Sequence, residues 1–332
     1  MMKKILLFLC LIISFNTFAK QTLTVYTYDS FVSEWGPGPQ IKENFETLCN
    51  CELNFVAVDS AASMLSKIIL EGKNTKADIL LGIDMNLIEQ AKKTNLFDKH
   101  PFENLNEILS MPIEWQDDIF VPFDYGYFAF VYNQNNITKP PKSMEELINR
   151  NDISIVIQDP RTSTVGLGLL TWIKSLYGNQ SSKTWNKLSK KIVTVTKGWS
   201  DAYYNIFLTG EADMVLSYTT SPAAHIMFEN DSSFKADSFK EGNYITIEVA
   251  AKLKNSQHIE LANMFLEFML TDDFQSSIPS TNIMYPVINL KDGLPDSFSE
   301  LSIPSKVLQI NPTTIMNKRD EWTQEWLNNY KK

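Results

Sequence analysis

Apolar positions in the first part of the chain follow two alternating patterns. Short runs rich in β-branched and aromatic residues predict strands at 23–28, 52–58 and 77–82. Longer stretches with helical periodicity lie between and after them, and predict helices at 36–48, 62–70 and 86–94. Strands that alternate with helices in this way indicate a mainly parallel sheet flanked by helices.

A second series of the same kind occupies the later part of the chain. Strands are predicted at 154–157, 192–196 and 214–217, with a helix after Gly166 and another at 200–208. The remaining helical patterns lie at 260–270 and 322–330. The chain therefore contains enough elements for two α/β lobes.

Two extended segments, 120–132 and 242–252, are natural crossings between such lobes. We expect lobe 1 to comprise 20–121 and 253–332, and lobe 2 to comprise 122–252 with the crossings. Ligands of α/β sheets collect at the carboxyl ends of the strands. The predicted ligand site is therefore the cleft between the lobes.

The first nineteen residues have the pattern of a secretory signal peptide, residues 1–19. Lys3 and Lys4 precede an apolar run at 5–13, and small residues lead to a cleavage point after Ala19. Cys10 lies inside the apolar run, without the small residues that precede a lipid-modified cysteine. The pattern predicts an exported protein that carries no lipid anchor.

Export bears on the two cysteines that remain, Cys49 and Cys51, because they would face an oxidising compartment. They either form a disulfide with each other or remain two reduced thiols beside a strand.

The formal net charge of the whole sequence is −9, and removal of Lys3 and Lys4 makes it −11. An acidic balance argues against nucleic acid as a partner and would attract a cationic ligand.

The sequence DPRTSTVGLG precedes a helical pattern and has the composition of an anion site. Free backbone N–H groups and the positive end of the helix dipole lie at a helix N-terminus. Ser163 and Thr164 add hydroxyl donors there. The alternative is that Asp159 and these hydroxyls only cap the helix.

Four aromatic residues lie at or near the predicted strand ends: Tyr28, Trp35, Trp199 and Tyr218. Rings that converge on one cleft would hold a flat or cationic ligand by stacking and cation–π attraction. A single ring in a loop more often serves packing. The clustering of four such residues favours a binding role.

A series of strings in this order over nearly the whole mature chain resembles the periplasmic thiamine-binding proteins of ABC importers. They are LTVYTYDSF, WGPGP, NCEL, EGKNTKADILLG, FVPFDYGYFAFVYN, QDPRTST, GLGLL, VTVTKGWSDAY, LSYTTSPA, FLEFML and MYPV. The resemblance implies a two-lobed type II periplasmic binding protein. It implies capture of thiamine, thiamine monophosphate and thiamine diphosphate, and their delivery to a membrane permease and ATPase, with no cofactor or catalytic activity.

The resemblance also implies which residues contact the ligand. They are Ser60, Ala61, Ser163, Thr164, Trp199, Tyr218, Thr219, Thr220, Ser221 and Pro222. Tyr28 and Trp35 are retained as candidates from their positions alone. The chain departs from the family at Ala224 and Ile283, where relatives have a tyrosine and a tryptophan, so two rings are expected to be absent.

Two alternatives come from other functional classes. A ferric-iron-binding protein of this architecture would need adjacent tyrosine ligands, but Tyr218 is followed by Thr219, and the adjacent pair at 203–204 lies in a predicted helix. The histidines are scattered, so no metal site is predicted. An enzyme that processes thiamine phosphates would need a nucleophile paired with a base, and no such pattern occurs. Asp124 is expected to be a cleft carboxylate rather than a base.

Overall fold

The computed structural model describes residues 20–58 and 60–330. The predicted signal peptide, 1–19, and Asp59 lie outside the described residues. The strands are β1 (Thr22–Tyr28), β2 (Glu52–Val58), β3 (Ile79–Asp84), β4 (Val121–Asn133), β5 (Ile155–Gln158), β6 (Ile192–Thr196), β7 (Met214–Tyr218), β8 (Phe234–Ala236), β9 (Asn243–Lys252), β10 (Tyr285–Pro286) and β11 (Val307–Leu308).

Helices cover most of the remaining described chain. The α-helices are α1 (Asp29–Val32), α2 (Gly38–Cys49), α3 (Ala61–Glu71), α4 (Ile88–Lys93), α5 (Leu105–Ile108), α6 (Met144–Asn149), α7 (Thr164–Tyr177), α8 (Ser181–Leu188), α9 (Pro222–Ala224), α10 (Ile259–Phe268), α11 (Asp272–Gln275) and α12 (Pro312–Tyr330). Short 3₁₀ helices are Gly72–Asn74, Met85–Leu87, Gly178–Gln180 and Asp296–Glu300. Segments of π-helix are Asp201–Phe207, His225–Glu229 and Ile278–Asn282. Within the described ranges, no helix combines the length and the apolar character needed to span a membrane.

The main strands form a continuous sheet in the order β2-β1-β3-β9-β4-β7-β5-β6. Strand β1 is parallel to β2 and β3, and β5 is parallel to β6 and β7. The long strands β4 and β9 are antiparallel to each other and to their other main neighbours, β7 and β3. The two parallel groups therefore match the predicted series, and the predicted crossings form the centre of the sheet.

Strand β4 belongs to both halves of this sheet. Its residues from Val121 to Tyr127 pair with β9, and those from Phe128 to Tyr132 pair with β7. Each half is covered by its own helices, and their apolar faces fill a core in which Phe130, Trp172 and Phe239 pack ring on ring. The architecture is that of a two-lobed α/β binding protein in which β4 and β9 connect the lobes.

Local structure differs from the sequence prediction at several places. Helix α7 begins at Thr164, before Gly166, because the Ser163 side chain caps it. Residues predicted as an ordinary helix at 200–208 form a π-helical segment instead. Helix α12 begins at Pro312, well before the predicted 322. The sulfur atoms of Cys49 and Cys51 are bonded to each other between α2 and β2, with their Cα atoms 5.1 Å apart.

Candidate ligand-binding site

Two acidic side chains lie opposite each other on the connecting strands. Asp124 of β4 is paired in register with Glu248 of β9. The Tyr28 hydroxyl donates to Glu248 Oε2 over 2.7 Å, and Asn282 Nδ2 donates to Asp124 Oδ2 over 2.6 Å. Asn282 is also within hydrogen-bond distance of the Tyr28 hydroxyl, at 3.2 Å. Residues from four separate parts of the sequence thus converge at one point of the sheet.

Tyr28 reaches this point because a glycine makes room for its ring. It is the last residue of β1, and Gly82 lies on the neighbouring strand β3 with φ of 103°. A Cβ atom at Gly82 would lie 2.3 Å from Tyr28 Cε1. Both the positive φ and the absent side chain are therefore required to place the ring where it meets Glu248.

Burial controls the charge of these carboxyl groups. Asp124 is fully buried, whereas Glu248 keeps part of its surface open. Loss of solvent raises the pKa of Asp124, and loss of solvent together with the neighbouring Asp124 raises the pKa of Glu248 well above the ordinary range. On the next strand, burial raises the pKa of Asp84 to about 6. The site therefore has acidic side chains that hold protons more tightly than usual.

Tyr218 ends β7 and lies beside the same acidic groups. Its ring stacks on Phe128, with the centroids 5.4 Å apart. Burial and the negative charge of Glu248, Asp124 and Asp84 raise the pKa of its hydroxyl, which therefore stays protonated. The residue as a whole is partly exposed.

The turn after Tyr218 is packed inward. Thr219 and Thr220 are fully buried and Ser221 is nearly so. Ser221 Oγ lies 2.7 Å from Ser217 Oγ and accepts from the Tyr218 N–H over 3.3 Å. Pro222 opens helix α9 and is buried. These residues shape the turn that holds Tyr218.

Trp199 is connected to that turn by a hydrogen bond. Its Nε1 donates to Ser217 Oγ over 2.7 Å, and its ring packs against Tyr203 with the centroids 4.9 Å apart. Trp199 and Tyr218 are thus positioned by one hydroxyl chain, Ser217 and Ser221. Trp35 lies in the turn between α1 and α2 and is 53 % exposed. Within the described residues, no ring–ring contact joins Tyr28, Trp35, Trp199 and Tyr218 to one another.

Ser163 and Thr164 lie at the N-terminus of α7, as predicted. Ser163 Oγ accepts from the Gly166 N–H over 3.4 Å, and its side chain is nearly buried. Thr164 is the first helical residue and is partly exposed. Ser163 therefore caps the helix, as the alternative interpretation of this sequence predicted. A capping hydroxyl still has a proton to donate, so capping leaves the anion role open.

Ser60 and Ala61 begin a second helix near the end of β1. Ser60 Oγ accepts from the Ser63 N–H over 3.2 Å, and Ala61 is the buried first residue of α3. Val58 precedes them at the end of β2 and is paired with Tyr28. The N-terminus of α3 thus lies at the same edge of the sheet as Tyr28.

The sequence did not point to Glu248, Asn282 or Ser217. Glu248 is a single acidic residue in the apolar run YITIEVAAK, and this isolated charge is the sequence feature that could have indicated a functional role. The two positions expected to depart from the family pattern follow elements of the site directly in the chain. Ile283 follows Asn282 with φ of 55°, and Ala224 is a partly buried residue at the end of α9.

Comparisons with known proteins agree with this geometry. Residues 74–305 match the family described as bacterial extracellular solute-binding protein. The thiamine-binding periplasmic protein of Escherichia coli (strain K12) is 49% identical over 98% of both chains. A solved periplasmic thiamin binding protein has a TM-score of 0.90 at 48% identity, covering 94% of this chain and 97% of its own.

A ferric binding protein from Campylobacter jejuni has a TM-score of 0.76 at 20% identity, covering 92% of this chain and 99% of its own, and so shares the fold alone. By its family match and its long, highly identical relatives, the chain belongs to the bacterial extracellular solute-binding proteins, alongside relatives named thiamine-binding periplasmic proteins.

Proposed function

We infer that this protein is the periplasmic substrate-binding component of a thiamine ABC importer. The observation that carries the inference is its high identity, over nearly its whole length, to proteins named for binding thiamine. The family consists of solute-binding proteins, so the role of this protein is capture and transport of a solute rather than catalysis.

The site chemistry suits thiamine, which carries a positively charged thiazolium ring and a flat aminopyrimidine. We propose that the rings of the partly exposed residues Trp199, Tyr218 and Tyr28 contact these two ring systems. The carboxyl groups of Asp124 and Glu248 supply negative charge beside them. Trp35 is retained as a candidate contact from the first lobe.

The phosphate-bearing forms need a separate anion site. We propose the N-termini of α7 and α3 for it, with Ser163, Thr164, Ser60 and Ala61 as contacts. Both helices are longer than two turns, and the positive end of each helix dipole favours a negative ligand. The sites for the ring cation and for the phosphate would then lie on different elements.

We propose that the loaded protein delivers its ligand to an inner-membrane permease and its ATPase. The lobe boundaries at 121–122 and 252–253 belong to the same proposal. They are supported by the position of β4 and β9, which are paired with strands of both halves of the sheet.

The alternatives are not favoured. For an iron site, the adjacent pair Tyr203 and Tyr204 would have to act together. Tyr203 is instead buried and bonded to His225 Nε2 over 3.0 Å, whereas Tyr204 is exposed. In the described part of the chain, no three His, Cys, Asp or Glu side chains are grouped as metal ligands would be. An enzyme role has no support from the relatives, which are named as binding proteins.

Calorimetry tests this function directly. The purified mature protein is titrated with thiamine, its two phosphates and ferric ion, with the Trp199→Ala variant in parallel. We expect saturable binding of the thiamine compounds, weakened by about 1–2 kcal/mol in the variant for every form because the ring cation is common to all. Saturable binding of ferric ion with none of the thiamine compounds would reverse the assignment.

A further inference from the structure

Three carboxyl groups form a row across the centre of the sheet. Glu248 of β9 is paired in register with Asp124 of β4 on one side and with Asp84 of β3 on the other. Residues directly opposite each other in antiparallel strands point to the same face. Both flanking strands shift register beside the row, next to Gly82 and before Asp124.

The hydrogen bonds of Asp124 are incomplete. Its Oδ2 accepts from Asn282, but no donor among the described residues reaches the buried Oδ1. A buried carboxylate oxygen without a donor is costly, and two ionised carboxylates side by side repel each other. One proton held between Asp124 and Glu248 relieves both problems.

Glu248 is the more exposed member of the pair. It is partly exposed, and it accepts from the hydroxyl of Tyr28, a residue that is also partly exposed. Tyr218, beside the same carboxyl groups, is another partly exposed aromatic residue. A cation held between these rings would lie next to the pair.

We propose that Asp124 and Glu248 share one proton in the ligand-free protein, and that a cationic ligand displaces it on binding. The proposal deepens the function inferred above and rests on it. Protons and charges balance as follows. Before binding, the pair holds one proton and carries one negative charge; when the thiazolium cation binds, both carboxyl groups are ionised and the proton passes to the buffer. No bond is formed or broken in the ligand.

Other charged groups around the pair support retention of the proton before binding. Asp84 faces Glu248 from β3, while Tyr28 of β1 and Tyr218 of β7 are neutral hydroxyls. Arg319 of α12 acts on Asp84, the far end of the row. A ligand cation placed at the Glu248 end would therefore supply the positive charge that allows the pair to ionise.

Linkage fixes the sign of the effect. Because binding releases a proton, raising the pH must strengthen binding wherever the free pair still holds its proton. The dissociation constant for thiamine should fall by up to about tenfold per pH unit in that range. It should level off once the free pair is fully ionised.

The test is calorimetry of unphosphorylated thiamine, whose lack of a phosphate removes one titrating group. Titrations in two buffers of different ionisation enthalpy, at about pH 6 and about pH 8, measure the protons released. We expect release approaching one proton for the wild-type protein at the lower pH and little at the higher. The Asp124→Asn and Glu248→Gln variants should show none, and their affinity should vary little with pH.

The matched control is Glu107→Gln, which removes a carboxylate from an exposed position of α5 and should leave the wild-type proton release unchanged. If neither site variant folds in a thermal melt, the wild-type protein decides alone. Thiamine binding with equal heats in both buffers at both pH values would overturn this inference and leave the proposed function standing. A complete absence of thiamine binding by the wild-type protein would overturn both.

Discussion

At the scale of single residues, one strained backbone conformation shapes the site. Ile283 has φ of 55°, a left-handed conformation that costs a β-branched residue about 1–3 kcal/mol. It lies between Asn282, which donates to Asp124, and Met284, whose sulfur contacts the Thr220 hydroxyl. The turn at Ile283 therefore directs the side chains on both sides of it towards the connecting strands.

Gly82 gives a prediction at the same scale. In Gly82→Ala, the new Cβ would lie 2.3 Å from the Tyr28 ring, in a backbone conformation that alanine rarely adopts. We expect Tyr28 to be displaced from Glu248, the free energy of unfolding to fall by about 1–3 kcal/mol, and thiamine binding to weaken. Urea denaturation and calorimetry measure the two effects.

Gly72→Ala is the matched control for that variant. Gly72 also has a positive φ, of 55°, but no atom lies within 4 Å of the position its Cβ would take. It should lower stability through backbone strain and leave thiamine affinity unchanged. Equal affinity losses in the two variants would mean that displacement of Tyr28 is not the cause.

At the scale of elements, the sequence predicted where strands lie better than it predicted which strands pair with each other in the sheet. The runs rich in β-branched and aromatic residues at β1, β2 and β6 predicted the positions of these strands almost to the residue, because such residues favour strands whether the strand is central or at the edge of a sheet. The two-residue strands β10 and β11 carry no such pattern and exist through pairing with β4 and β9.

The positions of Tyr28 and Tyr218 at strand ends could be predicted from the sequence, and their contact with a ligand stays a prediction. The position of Glu248 in the site was not predictable, because it depends on its register opposite Asp124. The π-helical segment Asp201–Phe207 was also unpredictable, because its sequence has ordinary helical periodicity. Pairing and local hydrogen-bond geometry, which depend on distant residues, account for these omissions.

The N-terminus of α7 provides a prediction that separates capping from binding. Ser163→Ala removes the helix cap and should lower the free energy of unfolding by about 0.5–2 kcal/mol. If the Ser163 hydroxyl also donates to phosphate, thiamine diphosphate should bind about 1–3 kcal/mol more weakly, with little change for thiamine. Calorimetry with the two ligands makes the comparison.

Ser143→Ala is the control, since Ser143 caps α6 in the same way, accepting from the Glu146 N–H over 2.9 Å. It should cost similar stability and leave both affinities unchanged. Should Ser163→Ala weaken both ligands equally, or neither, Ser163 would be a cap and not a phosphate contact.

At the scale of the whole molecule, helix α12 and the connecting strands hold distant parts together. Glu325 accepts from Lys174 of α7 over 2.8 Å and from Ser181 of α8 over 2.6 Å. Nearer the start of the helix, Arg319 donates to Gln90 of α4 over 3.0 Å. The helix therefore contacts elements that the sequence assigned to both lobes, and any change in their separation must also involve α12.

The carboxyl row on the connecting strands should make the stability of the ligand-free protein depend on pH. Asp84, Asp124 and Glu248 all have a pKa raised by burial in the folded state. Between the ordinary carboxyl range and these raised values, the folded protein binds more protons than the unfolded chain. The free energy of unfolding must then fall as the pH rises through that window.

Asp84 allows the size of this effect to be tested, because its pKa is raised to about 6. Its contribution of about 3 kcal/mol should be fully present only at about pH 3 and below, and lost above about pH 6, so that about 2 kcal/mol of it changes between about pH 4.5 and about pH 7.5. Urea denaturation between about pH 4.5 and about pH 7.5 measures it, and Asp84→Asn should flatten the curve. Exposed carboxylates with a lowered pKa, such as Asp152, make stability rise with pH, but only at pH values below this window. A wild-type stability that rises with pH across this window would show that the buried row is ionised in the folded protein, and would remove the physical basis for the shared proton.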